Sequence, residues 1–288
     1  MSCTECVTGA LHSGTPKGSE TKVGGVDAYV VGDASSARVI VIGCDIFGWR
    51  FVNMRLLADE YAAHGFRVVV PDLFSGWELP TWTLNAHDPS NFRKSLVQRY
   101  LLAPLALFVL APFVLRNLPH QVSLITSVLS ALRSTPATPE SASSPASTSG
   151  PEPASGARAT GKVKKVGFVG FCWGGRFAIS QNHLFDASVA AHPSLVRFPA
   201  ELAGIRKPFS LAVAHDDPAF DRARAEETER ILRESAGERG LGEGEVEVRV
   251  YEGVKHGWTT RANLEDARQR EARDEAVRQV VGWFDRFL

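Results

Sequence analysis

The sequence predicts an α/β fold: a mostly parallel, doubly wound sheet flanked by helices. Three observations predict it. Short β-branched runs such as RVIVIGC and RVVVP are apolar throughout, as expected of strands buried on both faces. Helical patterns alternate with these runs, and that alternation implies parallel strands joined by helical crossovers. A glycine-rich junction, GFCWGG, joins one strand-like run directly to a helix-like one.

In chain order the expected strands are Asp27–Val31, Arg38–Cys44, Arg67–Pro71, Lys165–Gly170, Ala187–Ala191, Pro208–Ala214 and Glu245–Tyr251. Asn53 is placed to cap a helix running through Leu56, Leu57 and Tyr61 and ending at Gly65. The run RFAISQNHLF after the glycine-rich junction reads as a helix. Asp221–Ala236 carries Arg and Glu at helical spacing and reads as a solvated helix. Leu264–Leu288 closes the chain, with Val277, Val280, Val281, Phe284 and Phe287 near one stripe.

Two segments stand apart. Residues 134–161 contain five Pro, seven Ser and four Thr, and no Val, Ile, Leu or aromatic residue. Such a stretch cannot bury enough apolar surface to offset its conformational entropy, so a disordered insertion is expected there. That leaves a single folded domain over 1–288 with this one interruption. Tyr100–Leu115, YLLAPLALFVLAPFVL, is uncharged but shorter than the ~20 residues of a spanning helix. Pro104 and Pro112 interrupt it. A buried kinked helix, a cap over a pocket (around 96–118) and a membrane contact are the three readings, the first favoured by length and flanks.

The 288 residues carry 32 Lys+Arg against 32 Asp+Glu. This balance argues against a nucleic-acid binder, and 44% hydrophobic residues argue against a disordered chain. No apolar run opens the N-terminus, and the four cysteines, Cys3, Cys6, Cys44 and Cys172, are not spaced as a disulfide framework. A reducing, cytoplasmic setting is expected. Cys3, Cys6 and His12 have the spacing of half a zinc site, but no second pair completes it. No phosphate-binding glycine motif stands at a strand–helix junction. Neither metal nor cofactor is expected.

The chemistry centres on Gly170-Phe171-Cys172-Trp173-Gly174-Gly175, which matches a nucleophile elbow with Cys in place of Ser. Positions two before and two after the nucleophile must be small, so that strand and helix can approach. The helix N-terminus then favours a thiolate. An acid and then a base should follow in the chain. His183, His192, His215 and His256 are available, and order and loop position favour His256. The acid is expected in Ala214-His215-Asp216-Asp217-Pro218, at the end of a strand, with Asp216 and Asp217 both open on this reading.

These residues resemble the dienelactone hydrolase family, its fungal branch in particular. The resemblance is carried by Cys3–Cys6 with HSGTPKG, by Asp45-Ile46-Phe47-Gly48-Trp49-Arg50, Asn53 and Pro71-Asp72-Leu73-Phe74, and by GFCWGG, His192-Pro193-Ser194, Asp217-Pro218 and YEGVKHGW. It spans nearly the whole chain outside 134–161. It implies an α/β-hydrolase fold and a Cys-His-Asp triad that hydrolyses a small ester or lactone through an acyl-cysteine. Cys172 matches the nucleophile, His256 the base and Asp217 the acid. The backbone N–H groups of Ile46 and Trp173 match the oxyanion hole. Asp45 stands where the family often has a thiol-contacting Glu. Arg261, Arg93 and Trp258 are the positions expected at the substrate. An acyl transferase, a thioesterase-like enzyme or a non-hydrolytic binder of the same fold is the alternative. A small-molecule ester or lactone is the one partner expected, with no nucleic acid and no membrane; monomer and homodimer both stay open.

Overall fold

The computed structural model describes residues 4–84, 120–134 and 163–288. The segments expected to form the apolar cap and the disordered insertion lie outside the described residues, except that Ser134 ends a helix.

The expected sheet forms, with one strand more. Its eight strands are β1 (Ser19–Val23), β2 (Val26–Val31), β3 (Arg38–Gly43), β4 (Arg67–Pro71), β5 (Lys165–Phe171), β6 (Ala187–Ala191), β7 (Phe209–Ala214) and β8 (Val246–Tyr251). They lie in the order β1-β2-β4-β3-β5-β6-β7-β8. From β4 to β8 every neighbouring pair is parallel, while β1 and β2 form an antiparallel edge. Strand β1 is SETKV, exposed at four of its five residues. It has no apolar run, so periodicity alone could not find it.

Both faces of the sheet are covered. Val39, Ile40, Val41 and Ile42 are successive residues of β3 that point alternately to opposite faces, and each is 0% exposed. Burying each such side chain is worth about 1.5–3 kcal/mol. Helix α1 (Val52–Ala63) packs on β4 and β2, and α2 (Gln121–Ser134) on β1 and β2. Helix α3 (Gly175–Ser180) packs on β5 and β6, and α4 (Arg222–Glu234) on β8 and β7. A short helix α5 (Trp258–Arg261) precedes the long α6 (Ala267–Phe287), which packs on β6 and β7.

The helix ends follow local chemistry, with two differences from expectation. Asp221 and Asp266 cap α4 and α6 by accepting backbone N–H bonds. Asn53, however, does not cap α1; Phe51 stands at the cap without a side-chain bond. Asn53 is buried inside the helix and spends its amide elsewhere, as described below. The helix after GFCWGG is also shorter than RFAISQNHLF, ending at Ser180 before a 3-10 turn at Asn182–Leu184.

The chain leaves β3 for β4 on one side and returns to β5 on the other. The crevice outside the carboxyl ends of β3 and β5 is therefore a topological switch point. Among the described residues, no helix is long and apolar enough to cross a membrane.

Candidate active site

Five strands deliver the residues of the site to one edge. Asp45 and Ile46 follow β3, Cys172 follows β5, His192 and Ser194 follow β6, Asp217 follows β7 and His256 follows β8.

Cys172 sits on the turn from β5 into α3 at φ 51°, a left-handed value uncommon outside glycine. Its neighbours hold it there. Cys172 N–H donates to Ala191 O at 3.1 Å, and its carbonyl accepts from Gly175 N at 3.1 Å and Ser194 N at 2.9 Å. The glycines are needed for space. A Cβ on Gly170 would collide with the backbone of Gly174, and one on Gly174 with the backbone of Gly43. This is the crowding expected from the spacing of small residues around the cysteine.

His256 lies beside it, on the loop between β8 and α5. Its Nδ1 donates to Asp217 Oδ2 at 2.8 Å, and both side chains are 0% exposed. Asp217 is itself fixed, because its Oδ1 accepts from Ala219 N at 2.8 Å. Asp216 instead reaches His215 at 2.7 Å in solvent. The structure thus brings Asp217, not Asp216, to His256. Ser194 Oγ lies 3.4 Å from Cys172 Sγ and 3.5 Å from His256 Nε2.

The electrostatics favour a charged pair. A hydrogen bond from the Cys6 thiol, followed by the charges of His256 and Arg261, holds Cys172 well below an ordinary thiol pKa despite its burial. Burial opposes charge on His256, but the Cys172 thiolate and Asp217 outweigh it and push its pKa up to about 10. Cys44 shows the contrast: it is wholly buried, and burial pushes its thiol well up.

Of the positions expected for oxyanion donors, Trp173 follows Cys172 in the chain and Ile46 lies on the loop after β3, the strand beside β5. Trp173 is anchored through its ring, with Nε1 donating to Gln121 Oε1 at 2.6 Å and Phe74 packed 6.0 Å away. Ile46 is held by its carbonyl, which accepts from Leu79 N at 2.8 Å.

The structure engages Asp45 and Arg261 with each other. Arg261 Nη1 pairs with Asp45 Oδ2, both side chains 0% exposed, and Thr260 Oγ1 donates to the same oxygen at 3.1 Å. Burial pushes the Asp45 carboxyl up, with Arg261 pulling against it. Arg261 Nε also donates to Thr8 O at 3.1 Å. This arginine, expected at the substrate, is engaged inside the protein through Nη1 and Nε, while its buried Nη2 has no hydrogen-bond partner among the described residues. Trp258, also expected at the substrate, is 3% exposed and packs edge-on against His192, ring centroids 5.3 Å apart. Arg93 lies outside the described residues.

Several residues at the site carried no assigned role in the sequence reading. His192 Nε2 bonds Thr259 Oγ1 at 2.6 Å, and its ring meets His256 edge-on with centroids 4.8 Å apart. Burial, then the charges of His256 and Arg261, keep His192 well below its ordinary pKa, so it braces His256 as a neutral ring. His192-Pro193-Ser194 was legible as a motif, but not as a support.

Cys6 was legible only as half of Cys3-x-x-Cys6. It reaches the site on an N-terminal strap that crosses α1. Asn53 clamps this strap, donating to Ala10 O at 2.9 Å and accepting from His12 N at 2.8 Å. His12 Nε2 donates to Ala262 O at 2.8 Å. Further along, Lys17 N donates to Asp59 Oδ2 at 2.8 Å. Cys6, Cys172 and His256 each offer a ligand atom, all within 4.8 Å of one another. Among the described residues, these are the donors close enough to hold a soft metal ion.

The dienelactone hydrolase family profile matches residues 26–99 and 154–288. A hydrolase of Aspergillus violaceofuscus, pyvD, is 28% identical over 288 residues, covering 98% of this chain and 96% of its own. A hydrolase of Talaromyces stipitatus, tropI, is 29% identical over 290 residues, covering 98% and 95%. Among solved structures, a dienelactone hydrolase-like promiscuous phosphotriesterase from metagenomic libraries superposes with a TM-score of 0.55 at 14% identity, covering 94% of this chain and 97% of its own. At that identity the likeness speaks to the fold alone.

Proposed function

This chain belongs to the dienelactone hydrolase family and is a hydrolase of that type, and we propose that it cleaves a carboxylic ester or lactone of a small molecule through Cys172, His256 and Asp217. The observation that carries the reading is the buried line from Asp217 through His256 to the strained elbow cysteine, with His256 Nδ1 on Asp217 Oδ2 at 2.8 Å.

The charge state sets the order of proton transfers. Cys172 rests as a thiolate beside a protonated His256. The thiolate attacks the acyl carbonyl carbon, and the backbone N–H groups of Trp173 and Ile46 receive the oxyanion. One such donor is worth about 3 kcal/mol to the transition state. His256 then gives its proton to the departing alkoxide, leaving an acyl thioester on Cys172 and a neutral imidazole. In a lactone the alcohol stays tethered to the acyl chain. The neutral His256 next takes a proton from water, whose hydroxide displaces the Cys172 thiolate and releases the carboxylic acid. Asp217 keeps Nδ1 protonated, so that Nε2 faces the reaction in both steps. Asp45 acts as a positioning residue: Arg261 and Thr260 hold its carboxylate, which receives Phe47 N at 3.0 Å and so shapes the loop that carries Ile46.

We read residues 1–288 as one such domain. Arg261 gives Nη1 to Asp45 and Nε to Thr8, which leaves its buried Nη2, without a hydrogen-bond partner among the described residues, as the atom that would meet an acidic substrate.

The test is turnover of a short-chain aryl ester and a panel of small lactones. Cys172→Ala should lower kcat/KM by about 10⁴-fold or more. Wild-type turnover in that variant would refute the reading.

A further inference from the structure

Cys6 stands within reach of the nucleophile, where its thiol supports the Cys172 thiolate and is also placed to react with it. It lies on a single 3-10 turn, Thr4–Val7, and is partly exposed. Its sulfur, Cys172 Sγ and a His256 ring nitrogen lie within 4.8 Å of one another. The placement is built rather than incidental. Thr8, Ala10 and His12, the residues that follow, are tied to Arg261, Asn53 and Ala262. The turn that carries Cys6 precedes the first of these ties.

We propose that Cys6 is the resolving thiol of an oxidative modification site, forming a reversible disulfide with Cys172. The proposal rests on the reading of Cys172 as a reactive thiolate. The oxidant is a hydroperoxide, small enough to follow an ester carbonyl to the sulfur. The Cys172 thiolate attacks the terminal peroxide oxygen, the O–O bond breaks, and after protonation an alcohol (water, from hydrogen peroxide) leaves. Cys172 is then a sulfenic acid. The Cys6 sulfur attacks the Cys172 sulfur and displaces hydroxide, which takes up the Cys6 proton and departs as water. In sum, two thiols and one hydroperoxide give one disulfide, one alcohol and one water. A dithiol reductant reverses the bond by exchange.

The geometry supports the second step. A disulfide needs sulfurs ~2.05 Å apart, so the two must approach by no more than about 2.7 Å. Cys44, the other cysteine among the described residues, is sealed in the core with its thiol pushed up, and is a poor competitor. A low-pKa cysteine with a resolving thiol at hand is the arrangement that stops oxidation at the reversible stage. The consequence is an enzyme that oxidation switches off and reduction restores.

The experiment treats the full chain with an excess of hydrogen peroxide, enough to carry an unprotected thiolate past the sulfenic stage. Ester turnover is then measured before and after a dithiol, and peptides are mapped without reduction. The expected result is a Cys6–Cys172 linked peptide and a roughly tenfold or greater loss of turnover that the dithiol reverses. In Cys6→Ser the same treatment should leave Cys172 as sulfinic or sulfonic acid, with a loss that the dithiol does not reverse. Cys3→Ser should retain the linked peptide. The proposal fails if treated wild type lacks that peptide, if Cys3 supplies the bond, or if Cys6→Ser recovers as fully as wild type. Linked peptide without any ester turnover would sink the hydrolytic reading and leave the disulfide standing. Turnover without linked peptide would do the reverse.

Discussion

His256 and Asp217 form a hydrogen bond of 2.8 Å between side chains that are both 0% exposed. Nothing in solvent competes for either group, and Asp217 has its other oxygen on Ala219 N. Asp217→Asn would keep the backbone contact through its carbonyl oxygen but would set an amide N–H₂ against Nδ1. The ring would then protonate at Nε2, the atom that must face the thiol. We expect kcat to fall by about 10³–10⁴-fold with the fold intact. Steady-state kinetics with circular dichroism checks this, and a loss below tenfold would remove Asp217 from the mechanism.

The Cys172–His256 pair also predicts how stability varies with pH. His256 has its pKa raised from 6.5 to about 10 on folding, so its contribution is full below 6.5 and disappears as pH rises through about 10. Cys172 has its pKa lowered from 9.0, so its contribution is full above 9.0 and disappears as pH falls through the folded value. Above both 6.5 and the folded Cys172 value, and up to 9.0, the two slopes cancel. Thermal melting should therefore show a plateau over that window, with a decline on the acid side and another approaching pH 10. In Cys172→Ala the acid limb should flatten and the alkaline limb should shrink, because the thiolate and Asp217 together raise His256. Identical pH profiles for variant and wild type would contradict the charged pair.

Asp45 and Arg261 are 216 residues apart in sequence and fully buried together. Removing one partner strands the other charge. Asp45→Asn or Arg261→Met alone should cost about 3–5 kcal/mol, and the double variant should cost less than the sum of the two. Urea unfolding measures all three. Single losses under about 1 kcal/mol would show that the pair does not hold the loop or the strap.

Much of this site was legible because its signals are local. GFCWGG names the elbow, and the glycines at 170 and 174 are explained by the backbones they touch. His256 and the Asp216-Asp217 pair each follow a strand-like run, so their order could be read, while the choice of Asp217 is what the family resemblance implies. What could not be read depends on long-range contact. Asn53 looked like a helix cap because Asn before an apolar helical run usually is one; its bonds to Ala10 and His12 exist only once the strap has docked, and its bond to Thr260 only once α5 lies beside it. Arg261 looked like a substrate clamp because the sequence does not show that Asp45 lies beside it. Cys6 was left without a role for the same reason. Strand β1 escaped because an exposed edge needs no apolar pattern.

The crowding at the elbow gives a further test. In Gly174→Ala the new Cβ would meet the backbone of Gly43, so strand β3 and the elbow must part. We expect a stability loss of about 1–3 kcal/mol and a larger proportional loss of kcat, because Cys172 moves with the turn. Gly282→Ala, where a Cβ meets open space within helix α6, should be neutral or stabilising by up to about 1 kcal/mol. Equal effects at the two positions would contradict the packing account.

The most direct test of the central claim is rapid-quench peptide mapping during turnover of an activated aryl ester. The account predicts one acyl group per chain, carried as a thioester on the peptide that contains Cys172, transient in wild type and persistent in His256→Asn. Turnover with no acyl adduct, or with the acyl group on any other residue, would contradict it.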